Sequence, residues 1–144
     1  VEPDHGRALV GLGRVRLAQD RLEDALGVLG RVPVGSPVRG EAEWLTARAR
    51  FRRQAGLKTD EVELRRRVST DPTDLEARLA LASVMADRGL HREALEALLA
   101  VLERDRGGPL GERARLDMLA LFQLLGDGSE LTREYRPRLA TLLF

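Results

Sequence analysis

The stretch Asp71–Arg106, reading DPTDLEARLALASVMADRGLHREALEALLAVLERDR, decides the fold. In its first half Leu75, Leu79, Leu81, Ala82, Val84 and Met85 leave only a narrow polar edge. In its second half Ala94, Leu95, Leu98, Leu99, Val101 and Leu102 form an apolar face opposite Glu93, Glu96 and Glu103. Recurrence at three and four residues is helical, and Asp87-Arg88-Gly89 between the halves is a turn signal. The small residues Ala82 and Ala94 fall where two antiparallel helices meet. A helix that is apolar nearly all round needs cover on two sides, so this hairpin requires neighbours of its own kind.

The chain supplies them. Shifted by 69 residues, Leu12-Gly13 aligns with Leu81-Ala82, Val15 with Val84, Asp24-Ala25-Leu26 with Glu93-Ala94-Leu95, Leu29 with Leu98 and Val32 with Val101. Turns are expected at Asp20, Gly56, Gly89 and Gly126, where glycine closes a helix readily. Eight helices are predicted at 4–18, 21–31, 38–54, 60–70, 72–87, 91–105, 110–125 and 129–143. Pro3 and Pro72 suit a first helical turn, where a missing N–H does no harm. Asp71 or Thr73 is the expected cap of the fifth helix, with Thr73 and Glu76 as a capping box. Asp60 and Ser129 are the expected caps of the fourth and eighth. The expected organisation is one domain over 1–144, with strong repeats at about 3–34 and 72–105 and degenerate hairpins at about 38–70 and 109–144.

Composition agrees with helices. Hydrophobic residues make up 43% of the 144 and aromatic ones 3%, so the core must be built of Leu, Val and Ala. The longest apolar runs are too short to span a membrane. There is no cysteine, which removes disulfides, thiolate metal sites and thiol catalysis and is compatible with the expected cytoplasmic location. A net charge of +1 provides no general attraction to nucleic acid. The distribution is uneven, however: 14 Lys/Arg against 10 Asp/Glu in 1–70, and 10 against 13 in 71–144.

The units EPDHGRALVGLGRVRLAQDRLEDALGVLGRV and DPTDLEARLALASVMADRGLHREALEALLAVL resemble tetratricopeptide repeats. The match lies in the small residue of the first helix (Gly13, Ala82), the alanine twelve residues on (Ala25, Ala94) and the opening proline. The 69-residue offset is about twice that family's 34-residue period. The fold implied is all-α: a right-handed array of about four helical hairpins, about eight helices. A second resemblance spans the whole chain. Arg31-Val32-Pro33, DPTDLEARLALA, REALEALLAVLERDR, ARLDMLALFQLLGDG and the terminal YRPRLATLLF follow in the order seen in the C-terminal region of the chaperedoxins, thioredoxin-fused tetratricopeptide co-chaperones. That resemblance implies a thioredoxin-like domain upstream of Val1, a holdase role towards unfolded client proteins, and docking on a GroEL-type chaperonin. It maps the docking helix onto Tyr135, Arg136, Arg138, Leu139, Leu142, Leu143 and Phe144. Pro137 stands where the family usually has arginine, so either a kink or a fresh turn is expected there.

Catalysis is not expected, and neither is a cofactor or metal. His5 and His91 are far apart with no second ligand at metal spacing, and His91 reads as a solvated surface residue. Glu23-Asp24, Glu41/Glu43 and Asp60-Glu61 fall at helix starts, where the helix dipole favours negative charge. Gly11-Leu12-Gly13 lacks the lysine of a phosphate loop. The natural protein-binding surface is the inner groove of the array, with Arg7, Val10 and Arg14 from the first helix and Glu76, Leu79 and Ser83 from the fifth. Two alternatives remain at this point. One is a nucleic-acid-binding surface in the basic stretch 48–67, where Arg48, Arg50, Arg52, Arg53, Lys58 and Arg65-Arg66-Arg67 flank Trp44 and Phe51. Against it, Trp44, Ala47 and Phe51 recur at helical spacing, as a buried stripe does. The other is a general protein-assembly scaffold.

Overall fold

Long runs of good helix formers, broken at Gly and Asp, give eight helices and no strand among the described residues. The computed structural model describes residues 3–57 and 60–143. The helices are α1 (Pro3–Ala18), α2 (Leu22–Leu29), α3 (Arg39–Leu57), α4 (Glu61–Thr70), α5 (Leu75–Asp87), α6 (His91–Arg104), α7 (Pro109–Leu125) and α8 (Glu130–Leu143). They fall into two compact units, Val1–Arg53 and Gln54–Phe144.

In the first unit α1 and α2 form a hairpin around Asp20, whose φ of 60° reverses the chain. Leu9, Val10, Leu17, Ala25, Leu29, Val32, Ala42, Leu45 and Ala49 form its core, with Trp44 packed against it. Gly13 is small because it has to be. A Cβ there would lie 2.5 Å from the Leu29 Cδ2, so glycine lets the two helices close.

The second unit repeats the device in its better-preserved form. Ala82 and Ala94 are both fully buried where α5 meets α6. Leu79, Ala80, Leu81, Ser83, Met85 and Ala86 are buried along with them, so α5 is covered nearly all round, as its sequence requires. Helix α7 packs on α6 and α5, and α8 on α6 and α7. Their joint core includes Leu95, Leu98, Val101, Met118, Leu121, Thr132 and Tyr135. The corner between α6 and α7 is held by Asp105, whose carboxylate accepts from the Leu110 and Gly111 N–H at 2.9 and 3.0 Å.

Four local expectations change. The turn placed at Gly56 does not form there, because α3 continues through that glycine to Leu57. Helix α5 begins at Leu75 rather than 72. Its cap is Asp74, which accepts from the Ala77 N–H at 3.1 Å. Asp71 binds the Thr73 hydroxyl and N–H instead, so Pro72 sits in a tight turn and no Thr73–Glu76 capping box exists. Helix α8 runs on through Pro137, so no fresh turn begins there. The expected caps at Asp60 and Ser129 are present: Asp60 accepts from Glu63 N at 3.0 Å and Ser129 from Leu131 N at 3.2 Å.

Candidate protein-binding surfaces

The second unit contains a cleft of about 370 Å³, roughly the lower end of small-ligand sites. It is lined by Gln54 of α3, Glu76, Leu79, Ala80 and Ser83 of α5, and Leu110 and Arg113 of α7. The α5 residues follow each other at three, four and seven positions, which is one face of a helix. Leu110 and Arg113 repeat the pattern on α7. Ser83 is only 2% exposed, and its hydroxyl donates to the Gln54 Oε1 at 2.8 Å. Arg113 reaches the nearly buried Asp117 carboxylate at 3.7 Å. The walls thus combine an apolar strip (Leu79, Ala80, Leu110), an exposed carboxylate and a half-exposed guanidinium. None of the described lining residues forms a nucleophile–base pair with another.

Three of the groove residues read from the sequence, Glu76, Leu79 and Ser83, are brought together here. Leu110 and Arg113 were missed, although each stands one 34-residue period after Glu76 and Leu79. Ala80 was also missed, one helical step along the same face. Gln54 carries no such signal, because it lies in the degenerate hairpin. Arg7, Val10 and Arg14 belong to the first unit. There Val10 is buried in the core, Arg7 is exposed, and exposed Arg14 pairs with Glu41.

The terminal helix α8 presents a mixed picture. Tyr135 is 0% exposed and Leu139 3%, both turned into the packing of the second unit. Leu142 is half-buried, Leu143 is exposed, and Phe144 lies outside the described residues. Arg136 binds Asp127 at 2.8 Å and stands over the Phe122 ring. The Tyr135 hydroxyl donates to Glu96 at 2.5 Å and accepts from Arg92 at 3.3 Å. Arg138 donates to the same Glu96 oxygen at 2.8 Å, with its guanidinium over the tyrosine ring. Two donors, Arg138 first and then Tyr135, hold the Glu96 carboxyl below its usual range. Burial, reinforced by Glu96, pushes the Tyr135 phenol up.

The basic stretch is largely engaged within each unit. In the first, Arg48 lies over the Trp44 ring at 5.2 Å, Arg52 donates to the Leu17 carbonyl at 3.4 Å, and Arg53 binds Glu23 at 3.1 Å. Ala47 and Phe51 are buried, as their spacing indicates, with Trp44 half-buried. In the second, Arg65, Arg66 and Arg67 bind Glu61, Glu63 and Asp74 at 3.1, 2.8 and 3.0 Å. Lys58 lies outside the described residues. His91 is half-buried rather than fully solvated: its Nδ1 is buried without a hydrogen-bond partner, and burial lowers its pKa. Among the described residues no three His, Asp or Glu side chains are grouped to hold a metal ion, and no helix is long and apolar enough to cross a membrane.

Comparison with curated proteins and with solved structures gave no match. A family model described as tetratricopeptide repeat matches residues 54–144, which takes in the cleft, the hairpin of α5 and α6 and the terminal helix. With that match covering more than half of the chain, and the all-helical hairpins in place, the chain belongs to the tetratricopeptide repeat family, a fold of non-catalytic protein–protein interaction domains.

Proposed function

We propose that this chain is the client-binding helical domain of a cytoplasmic, thioredoxin-fused co-chaperone, acting without catalysis or cofactor. In this reading the domain holds unfolded proteins in the α3–α5–α7 cleft and docks on a GroEL-type chaperonin through the exposed side of α8. The observation that supports it is the mixed lining of the cleft. An apolar strip together with a carboxylate and a guanidinium suits extended chain of varied sequence better than one fixed ligand. Because Tyr135 and Leu139 are engaged inside the unit, the docking surface consists of Arg136, Arg138, Leu142 and Leu143.

The test has two arms. The chain is expected to suppress aggregation of chemically denatured citrate synthase, and a chain without that effect would not be a holdase. The double variant Arg136→Glu, Leu143→Asp leaves the buried face of α8 intact and is expected to lose most chaperonin capture in a pull-down. Equal capture by variant and wild type would remove the docking assignment.

A further inference from the structure

One face of α1 is apolar and open. Ala8, Leu12 and Val15 are spaced by four and three residues, so they share that face. Leu12 is 38% exposed and Val15 49%, and Ala8 and Gly11 are exposed beside them. No heavy atom stands within 4 Å of the place a Gly11 Cβ would take. The internal repeat shows what such a face packs against. In the 69-residue echo Ala8, Gly11, Leu12 and Val15 correspond to Ala77, Ala80, Leu81 and Val84 of α5. There Ala77, Ala80 and Leu81 are all buried, and α4 packs on α5. Ion pairs at both ends fix the direction of α4. Glu61 at its start binds Arg88 just past the end of α5, and Arg67 in its last turn binds Asp74 at 2.9 Å. Asp74, Ala77, Leu81, Val84 and Arg88 recur at three and four residues, so α4 lies antiparallel along that stripe.

We propose that the open face of α1 receives an amphipathic helix of a partner protein, antiparallel to α1 as α4 is to α5, with an acidic margin on each side. The apolar ridge of that helix leaves water on Leu12 and Val15, while Ala8 and Gly11 let it come close. The margins follow from charge. Arg7 borders the face on one side and Arg16 on the other, and neither has a carboxylate partner among the described residues; Arg16 donates to Gln19 at 3.2 Å. A second copy of this chain would set two arginine margins against each other, so a partner with acidic margins is favoured. This surface is separate from the cleft, and the assignment does not rest on the client-binding reading.

The probe is an end-blocked fluorescent peptide of about 15 residues, long enough to form a helix. It carries leucine and alanine at alternating spacings of three and four, with glutamates on both margins. A twin has lysines at the margins, and a third peptide has the composition of the first in scrambled order. Fluorescence anisotropy is measured on the full chain, with far-UV circular dichroism confirming that each variant folds. Wild type is expected to bind the glutamate peptide about tenfold more tightly than either of the others. Leu12→Asp alters an exposed position and is expected to weaken that binding by about tenfold or more. The double variant Arg7→Glu, Arg16→Glu is expected to prefer the lysine twin, an inversion that loss of structure does not produce. Equal binding of ordered and scrambled peptides, unchanged binding in Leu12→Asp, an unchanged preference in the double variant, or no binding by wild type overturns the proposal. So does a wild-type dimer in light scattering that Leu12→Asp converts to monomer, since a second copy would then cover the face.

Discussion

Tyr135 illustrates how one side chain ties a helix down. Its ring is sealed in the core of the second unit while its hydroxyl joins Glu96 and Arg92, so replacing it with phenylalanine removes only the polar part. Tyr135→Phe is expected to cost about 1–2 kcal/mol, because hydrogen bonds to charged partners are lost at a buried site; denaturant unfolding measures it. The acid response has a definite sign. Since the folded Glu96 carboxyl titrates below its ordinary value of 4.5, its contribution is complete above that value. It disappears as pH falls through the lowered one. Wild type should therefore lose more stability than Glu96→Gln on acidification from neutral pH, and parallel losses in the two proteins would show that this contact is inert. The inward face of α8 was available in the sequence: Thr132, Tyr135 and Leu139 recur at helical spacing. A resemblance that marks the whole terminal motif does not separate its buried face from its exposed one. The cap of α5 was less legible, since Asp71, Thr73 and Asp74 are all good capping residues. Only the turn, in which Asp71 binds Thr73, leaves Asp74 to cap.

At the level of elements, the glycines divide into those that stop a helix and those that do not. Gly89 and Gly126 have φ of 81° and 88°, a region closed to most side chains, and both end helices. Gly56 lies inside α3, where glycine costs about 1 kcal/mol relative to alanine but breaks nothing. Composition does not distinguish the two cases, which is why the expected hairpin at about 38–70 was divided too early. Gly111 is a third kind. A Cβ at Gly111 would lie 2.0 Å from the Asp105 carbonyl oxygen, a backbone atom that cannot swing aside. Gly111→Ala is therefore expected to destabilise the second unit by about 2 kcal/mol, despite alanine's better helix propensity. Thermal unfolding is the measurement, and an unchanged midpoint would mean that the α6–α7 corner yields. The same corner sets the start of α7, where Leu110 and Arg113 line the cleft, so the variant should also weaken capture of denatured citrate synthase.

Over the whole molecule, the repeat is what made the sequence readable. The 69-residue echo correctly pairs Gly13 with Ala82 as close-packing positions and Ala25 with Ala94 as buried ones. What it does not carry is the intervening hairpin, whose residues follow no clear repeat yet contribute Gln54 to the cleft. The family match starts at residue 54, where the second compact unit also starts. That coincidence suggests a dissection: a fragment of residues 39–144, which keeps α3 whole, is expected to retain helical circular dichroism, cooperative melting and capture of denatured citrate synthase. A fragment that is helical but does not bind would place part of the recognition in residues 1–38. One further consequence comes from the scarcity of aromatics. The chain has a single tryptophan and a single tyrosine. Trp44 packs on the core of Val1–Arg53, and Tyr135 is sealed within Gln54–Phe144. The protein thus contains two optical reporters, one for each unit. Indole emission and phenol absorbance followed in one melt will tell whether the two halves lose their structure together or in sequence.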